Sequence, residues 1–567
     1  MATESRSRSS WQALRLALSN RKTGFMLLFG FAAGLPYALV LGTLYAWLSE
    51  EKVDLETMGV FSLIGLAYAF KFLWSPALDR VDLPGLRRLG KRKQWIVTAQ
   101  VMIGLALLTL SQLDPVSSLG MFSLLAGISA FASATQDVVI DAWRVDVADE
   151  VATIDILSTI YQMGYRLAAL AGGAGALFLA ARVGWPETYA VFGGVIFVIG
   201  VLGLAAPDAK TATASIGAGE EELDLLRRPG ELTPRVRKTA FAVIGALWGI
   251  ALLIVGTFMV MSLNSDPEAR PDSVEFITVQ GPLIMLATIV IPGLIAAWLV
   301  SQQRKGRHVL TEAAPAKTSF DRTIDYGYRA LVLPLTEIIG RLGSAAILVI
   351  ALVLTYRITD AIWGSFAYPF YLGELQYTND EVAVASKFFG VGALLLGLAL
   401  GGALLTIIGR MAALTLGAVL AAATNLLYAD LAIGGATMQA VADGTGFSAL
   451  VTSLGGDPRL AKLMVAIAGE NLAVGLAGAA FVAYLSSIVA KGYSAVQYAL
   501  LSSLALLVGT LGRAPLGQLI DEIGYYTVFL ITTAMGGVAV VLCLIEWARQ
   551  KRLGTAHNAP PPEVELA

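Results

Sequence analysis

The stretch GFMLLFGFAAGLPYALVLGTLYAWL, residues 24–48, contains no charged side chain and is framed by Arg21-Lys22 on one side and Glu50-Glu51 on the other. About 20 apolar residues in a helix cross the roughly 30 Å of hydrocarbon in a bilayer. The segment therefore reads as a membrane-spanning helix. Runs of the same kind recur at 57–78, 95–113, 116–140, 154–181, 187–206, 239–262, 277–301, 345–370, 382–408, 411–430, 461–489, 494–518 and 525–547. A soluble core has no use for so many. The fold class expected is an all-α integral membrane protein with about fourteen spans.

Composition agrees. Apolar residues make up 56% of the 567 and charged residues only 14%, well below the usual quarter. The net charge of −2 gives no reason to expect a nucleic-acid partner. The single cysteine, Cys543, excludes an intramolecular disulfide and a cysteine metal cluster. Both histidines, His308 and His557, fall in polar segments, so no histidine site is expected within the bilayer. No GxxxxGK[ST] loop suggests ATP drive. Without metal motif, cofactor motif or membrane histidine, an enzyme is not expected. Met1–Ser19 is basic and lacks the apolar centre of a cleaved signal peptide; the first span is expected to direct insertion.

Alternate gaps between the spans collect the basic residues. Arg6, Arg8, Arg15, Arg21 and Lys22 precede the first span, and Arg80, Arg87, Arg88, Lys91, Arg92 and Lys93 lie between the second and third. About 30 of the 40 Lys and Arg fall on this side and about five on the other. That bias predicts a multi-pass protein with both termini in the cytoplasm.

The halves resemble each other faintly: Gly175 to Gly184-Trp185 and Tyr189 in the first, Gly517 to Gly524-Tyr525 and Phe529 in the second. Repeated halves are common in secondary transporters. The reading is a 6+6 helix bundle with two extra helices inserted between the halves. Its parts are a cytoplasmic arm (1–23), a six-helix bundle (24–206) and cytoplasmic linkers carrying the inserted helices 239–262 and 277–301 (207–344). A second six-helix bundle (345–548) and a disordered tail (549–567) follow. A short surface helix is expected within 320–343. Glycine clusters at 171–175 and 397–402 offer faces for close helix packing.

Charged residues inside spans are costly, at least about 3 kcal/mol each when unpaired at the bilayer centre. Here they are Lys71, Asp137, Asp141, Arg166, Arg357, Asp360, Lys387, Glu470 and Arg513. Each is a functional candidate, and structural pairing is the plain alternative. Arg357 and Asp360 share a helix face and either neutralise each other or line a cavity. Glu470 has no basic neighbour in sequence and leads the proton-coupling candidates, with Asp360 and Asp137. Asp79, Arg80, Asp141 and Arg144 read as a salt-bridge latch at the cytoplasmic end, with Asp79-Arg80 expected to partner the cluster around Asp141. Lys387 and Arg513 read as snorkelling residues.

Asp79-Arg80 through Gly90-Lys91-Arg92 loosely resembles the GxxxDxxGxR-type loop of the major facilitator superfamily. More specific are Gly30-Phe-Ala-Ala-Gly-Leu-Pro36, Gly42-Thr-Leu-Tyr-Ala-Trp47, Lys71-Phe-Leu-Trp-Ser-Pro76, Ser133-Ala-Thr-Gln-Asp137 with Asp141-Ala-Trp143, and Gly164-Tyr-Arg166. In the second half come Asp360-Ala, Gly364-Ser365, Glu470-Asn471-Leu and Ser494-Ala-Val-Gln497. Together these resemble the AmpG muropeptide permeases across roughly 24–206 and 345–535. The resemblance implies import of anhydromuropeptides (GlcNAc–1,6-anhydroMurNAc-peptides) across the bacterial inner membrane, driven by the proton motive force with no cofactor. It also implies a role in peptidoglycan recycling and β-lactamase induction, and it carries over Gln136, Asp137, Asp141, Arg166, Asp360, Glu470 and Gln497.

A ligand rich in hydroxyls, amides and carboxylates calls for amide, aromatic and cationic partners. The substrate-binding candidates are accordingly Gln136, Tyr165, Arg166, Arg357, Trp363, Asn471, Gln497, Tyr37, Gln100 and Lys71. The expected partners are muropeptide, protons and lipid, with the chain a monomer. Carriers of acetyl-coenzyme A, another bulky anion, are the alternative.

Overall fold

In a computed structural model of the chain, the described residues are 18–53, 67–207, 225–264, 271–316, 318–359, 366–511 and 513–554. The first six helices are α1 (Arg21–Glu50), α2 (Ser75–Arg80), α3 (Lys93–Leu110), α4 (Leu119–Val147), α5 (Ile154–Val183) and α6 (Trp185–Gly203). The central insert supplies α7 (Pro234–Ser262), α8 (Glu275–Arg304), α9 (Ser319–Leu331) and α10 (Leu333–Leu342). The second half comprises α11 (Ala345–Thr355), α12 (Asn379–Ile407), α13 (Arg410–Ala432), the short α14 (Ala436–Gly444) and α15 (Phe447–Ser453), then α16 (Pro458–Ile488), α17 (Ser494–Leu511) and α18 (Arg513–Arg552).

Among the described residues, eleven helices are long and apolar enough to cross a membrane, or twelve if α10 and α11 form one broken span. The expected fourteen are not reached. Segments 57–78 and 345–370 extend beyond the described residues, and 494–518 is crossed by Gly512, which also lies outside them. The surface helix expected within 320–343 is two helices, α9 and α10. A 105° bend separates α10 from α11, and Gly343 makes it with a positive φ of 58° that a side chain would oppose.

Each half contains close helix pairs that glycine makes possible. A Cβ on Gly30 or Gly34 of α1 would lie 2.4 or 2.5 Å from the Tyr161 or Tyr165 carbonyl of α5. In the second half a Cβ on Gly397 of α12 would meet the Leu472 carbonyl of α16 at 2.2 Å, and one on Gly475 the Leu394 carbonyl at 2.4 Å. Without a hydrophobic drive between helices in lipid, such backbone contact carries the association.

Proline and glycine also break the spans locally. Behind Pro36, α1 passes through a π-helical turn at Leu39–Thr43, which faces another at Ala171–Gly175 of α5. Tyr189 of α6 donates to the Leu39 carbonyl at 3.0 Å, and Thr43 donates to the Gly172 carbonyl at 3.3 Å. Backbone groups freed by the irregular turn are thereby satisfied inside the protein, as hydrocarbon requires.

The halves meet along a seam in which α5 packs against α12 and α16, while α2 and α4 pack against α17. The inserted helices flank one edge of that seam. Trp248 of α7 meets Phe72 edge-on at 6.0 Å, Phe276 of α8 meets Phe70 at 6.4 Å, and Met285 of α8 packs against Leu504 of α17. The insert's polar parts are ordered by a short antiparallel bridge, Leu232 to Val309, and by Asp325, which binds both Arg227 and Arg237.

Candidate transport site and gate

The chain between residues 70 and 76 decides where Lys71 points. The helix tightens to a 3₁₀ turn at Lys71–Leu73 and restarts at Ser75 with Pro76, whose missing N–H costs nothing at a helix start. Trp74 anchors the break, donating to Thr135 of α4 at 3.1 Å and packing on Phe131. Lys71 is thus turned toward α4, where it forms an ion pair with Asp137. Tyr161 of α5 donates to the other Asp137 oxygen at 2.7 Å. Two opposite charges and a phenol satisfy one another in a segment where neither charge is tolerable alone.

An aromatic row continues from this pair. Tyr161 lies 6.2 Å from Tyr165, which lies 6.3 Å from Tyr37; Tyr37 meets Tyr68 edge-on at 5.1 Å. Tyr37 is 43% exposed, so the row leads from the buried pair to an accessible face. Arg166 is half-buried beside Tyr165.

The seam is shut at the end of the bundle where the basic loops gather. Arg144 of α4 is wholly buried. It pairs with Asp141 at 2.9 Å, donates to Ser486 of α16 at 3.1 Å, and lies between the rings of Tyr161 and Tyr498. Arg92 pairs with Asp79 and Asp146, both at 2.7 Å, and donates to Ser494 of α17 at 2.8 Å. Ser494 donates in turn to Asp146, and the Val496 N–H donates to Asp79 at 3.0 Å. Arg80 lies over the Tyr493 ring. Asp155 at the start of α5 binds Arg410 at the start of α13 through bonds of 2.7 and 3.0 Å.

Asp79 reaches the cluster around Asp141 through Arg92, which binds both Asp79 and Asp146, because the 2–3 loop folds back and brings Arg92 between them. Two carboxylates raise the proton affinity of Arg92 above its ordinary level despite the opposing effect of burial. The neighbouring Lys91 ammonium is pushed down to about 8, by burial first and then by the like charge of Arg92.

In the second half, Glu470 of α16 accepts a hydrogen bond from Tyr428 of α13, whose hydroxyl is 2.9 Å from that of Tyr371. The residue after Glu470, Asn471, donates to its own helix at the Ile467 carbonyl. Arg357 is half-buried just beyond α11. Asp360 and Trp363 lie outside the described residues, as do the side chains of Lys387 and Arg513.

Two of the amides expected to meet substrate, Gln136 and Gln497, have structural engagements. Gln136 donates to the Ala32 carbonyl of α1 at 2.6 Å. Gln497 ties the start of α17 to the insert, donating to Glu337 and the Pro334 carbonyl of α10. Gln100 is buried against Gly200 and Gly203 of α6, inside the first half, with neither polar atom of its amide hydrogen-bonded. Arg92, Asp146, Asp155, Arg410, Tyr161, Tyr428 and Tyr498 were absent from the expected site. Only Arg92 carried a signal, as the final basic residue of the superfamily-like loop. Among the described residues no group of His, Cys, Asp and Glu is placed to hold a metal.

Two helical bundles meeting along a seam, closed at one end by ion pairs, have the fold of major facilitator superfamily transporters. Solved structures agree on the fold. The chain aligns over 95% of its length with the proton:xylose symporter XylE at a TM-score of 0.50 and 11% identity, covering 96% of that chain. It aligns over 92% with the human organic anion transporter MFSD10 (TETRAN), also at 0.50, with 12% identity and 99% of that chain covered.

Among curated proteins the chain is similar to AmpG-type permeases. It is 28% identical to the anhydromuropeptide permease of Escherichia coli K12 over 540 residues, spanning 94% of this chain and 82% of that one. It is 25% identical to the putative transporter AmpG 4 of Rickettsia conorii, spanning 92% and 95%. The profile of the acetyl-coenzyme A transporter 1 family matches residues 24–122.

Proposed function

We propose that this chain imports anhydromuropeptides from the periplasm to the cytoplasm, coupled to proton entry, in a bacterial inner membrane. The basic end then faces the cytoplasm with both termini, and residues 24–206 and 345–548 are the two rocking bundles. The chain works as a monomer, without cofactor or catalysis. The observation that carries the substrate is the 28% identity to an anhydromuropeptide permease along nearly the whole chain. On this reading the conformation is closed to the cytoplasm and ready to receive ligand from outside. Tyr37, Tyr165, Arg166 and Arg357 offer aromatic and cationic contacts, while Glu470, Asp360 and Asp137 are the candidates for proton uptake.

The alternative cargo, acetyl-coenzyme A, is favoured only by the match over residues 24–122. Proteoliposomes energised by an inward proton gradient separate the two. Labelled GlcNAc–anhydroMurNAc-tripeptide is expected to accumulate, and the unlabelled compound to compete while acetyl-coenzyme A does not. Glu470→Gln and Asp360→Asn are each expected to abolish accumulation in protein that still folds. Accumulation by both variants at the wild-type level rejects the coupling assignment, and competition by acetyl-coenzyme A alone rejects the cargo.

A further inference from the structure

Glu470 is gripped by a side chain from α13, a helix whose main neighbours are α16 and α18. The Tyr428 hydroxyl donates to the Glu470 carboxylate, and the Tyr371 hydroxyl stands 2.9 Å from that of Tyr428. Both phenols are buried. The Tyr428 ring is stacked on Phe529 of α18 with centroids 5.6 Å apart and is met edge-on by Phe370 at 6.2 Å. Phe370 packs in turn on Phe529 and Tyr525. An aromatic cage built from three segments therefore fixes where the Tyr428 oxygen lies, and a hydroxyl so held is a preorganised donor. Tyr371 comes from the π-helical turn Pro369–Glu374 and meets Tyr428 near the end of α13 opposite Arg410, the end away from the closed gate. The series Tyr371, Tyr428, Glu470 thus runs from that end to the carboxylate.

Other titratable groups on the elements around α16 have separate places. Tyr368 precedes the turn that carries Tyr371. Arg166 lies on the facing helix α5, one turn from Gln162, which itself approaches Gly478 of α16. Lys387 is on α12, with its side chain outside the described residues. Asp137, Asp141, Arg144 and Tyr498 on α4 and α17 belong to the Lys71 pair and the gate, and Asp443 on α14 accepts from Gln439.

We infer that Tyr428, backed by Tyr371, is the positioning residue that sets the pH at which Glu470 takes up its proton from the outer side. The inference rests on the proton-coupled reading above. A phenol donating to a carboxylate favours the ionised form. Its loss lets the carboxyl hold its proton to higher pH.

The test is the pH profile of gradient-driven muropeptide uptake in proteoliposomes, with energy-independent exchange of muropeptide by the wild type measured alongside. Tyr428→Phe removes one oxygen from the cage and is expected to raise the pH of half-maximal uptake by about one unit, the scale of a charge-assisted hydrogen bond. Tyr371→Phe touches Glu470 only through Tyr428 and is expected to move it the same way by less. A purely packing role for either ring leaves the midpoint in place. If both profiles superimpose on the wild type, the inference is wrong while the transport reading stands; if Tyr428→Phe does not fold, Tyr371→Phe decides. Wild-type protein that exchanges no muropeptide removes the reading and the inference together.

Discussion

Asp155 and Arg410 form a two-bond ion pair across the seam, at 2.7 and 3.0 Å, although 255 positions separate them. Each occupies the first turn of its helix, α5 and α13. An acid is at home there, whereas an arginine is opposed by the helix dipole. The pair offsets that opposition and fastens the two halves at the basic end. One turn deeper, a Cβ on Gly402 of α12 would lie 2.5 Å from the Thr159 side chain of α5, so the bundles touch there without clearance.

Breaking this pair should release the gate. Removing one partner of a buried ion pair costs about 3–5 kcal/mol, and all of that cost falls on the closed state. Asp155→Ala or Arg410→Ala is expected to raise the reactivity of a cysteine placed at Ser486 toward a reagent supplied from the basic side. The reversed pair, Asp155→Arg with Arg410→Asp, should restore protection. Unchanged reactivity in both single variants would show that the pair is not a lock.

A wedge at Gly402 tests the same closure by sterics alone. Gly402→Leu cannot be accommodated against Thr159, so it should hold the basic end open and abolish uptake while the protein still melts cooperatively. Uptake within a factor of two of wild type would contradict the close approach.

Lys71 and Asp137 should behave as a unit. Either Lys71→Met or Asp137→Asn leaves one charge unpaired in an apolar span, at a cost of at least about 3 kcal/mol. Each single variant is expected to lower the melting temperature in lipid more than the double variant does. Additive losses in the double variant would mean that the two charges are not coupled.

The lowered proton affinity of Lys91 sets a pH window. Its ammonium titrates at about 8 in the folded chain, against about 10.4 when free. Between those values the unfolded chain binds more protons, so stability rises with pH across the interval and levels off above it. Lys91→Met should flatten that rise. The measurement is melting temperature from pH 7 to 10.5, and a wild-type curve parallel to the variant's would refute it.

How much of this was legible beforehand differs by feature. The apolar runs and the basic asymmetry are one-dimensional signals; among the described residues eleven or twelve helices answer the apolar runs rather than the expected fourteen, and the bend between α10 and α11 falls at Gly343. The glycine clusters announced close packing but not its partners. For the site, the sequence marked Lys71, Asp137, Asp141, Arg144 and Glu470 because charge in an apolar run is costly wherever it occurs. It could not rank Gln100 against Tyr161. An amide inside a helix pair and a phenol beside a carboxylate look alike until the facing helix is known.

Read alone, the chain determines that it spans a membrane many times, that its basic loops fall in alternate gaps, and which charges need an explanation. Those follow from transfer into hydrocarbon, a property of each segment by itself. Which charge answers which was decided only in three dimensions. Lys71 met Asp137 through a 3₁₀ break, Arg92 rather than Arg144 took Asp79 because its loop folds back, and Tyr428 reached Glu470 from a neighbouring helix. Coulombic and hydrogen-bonded contacts act over a few ångströms, and only the packing of the helices brings residues hundreds of positions apart within that range.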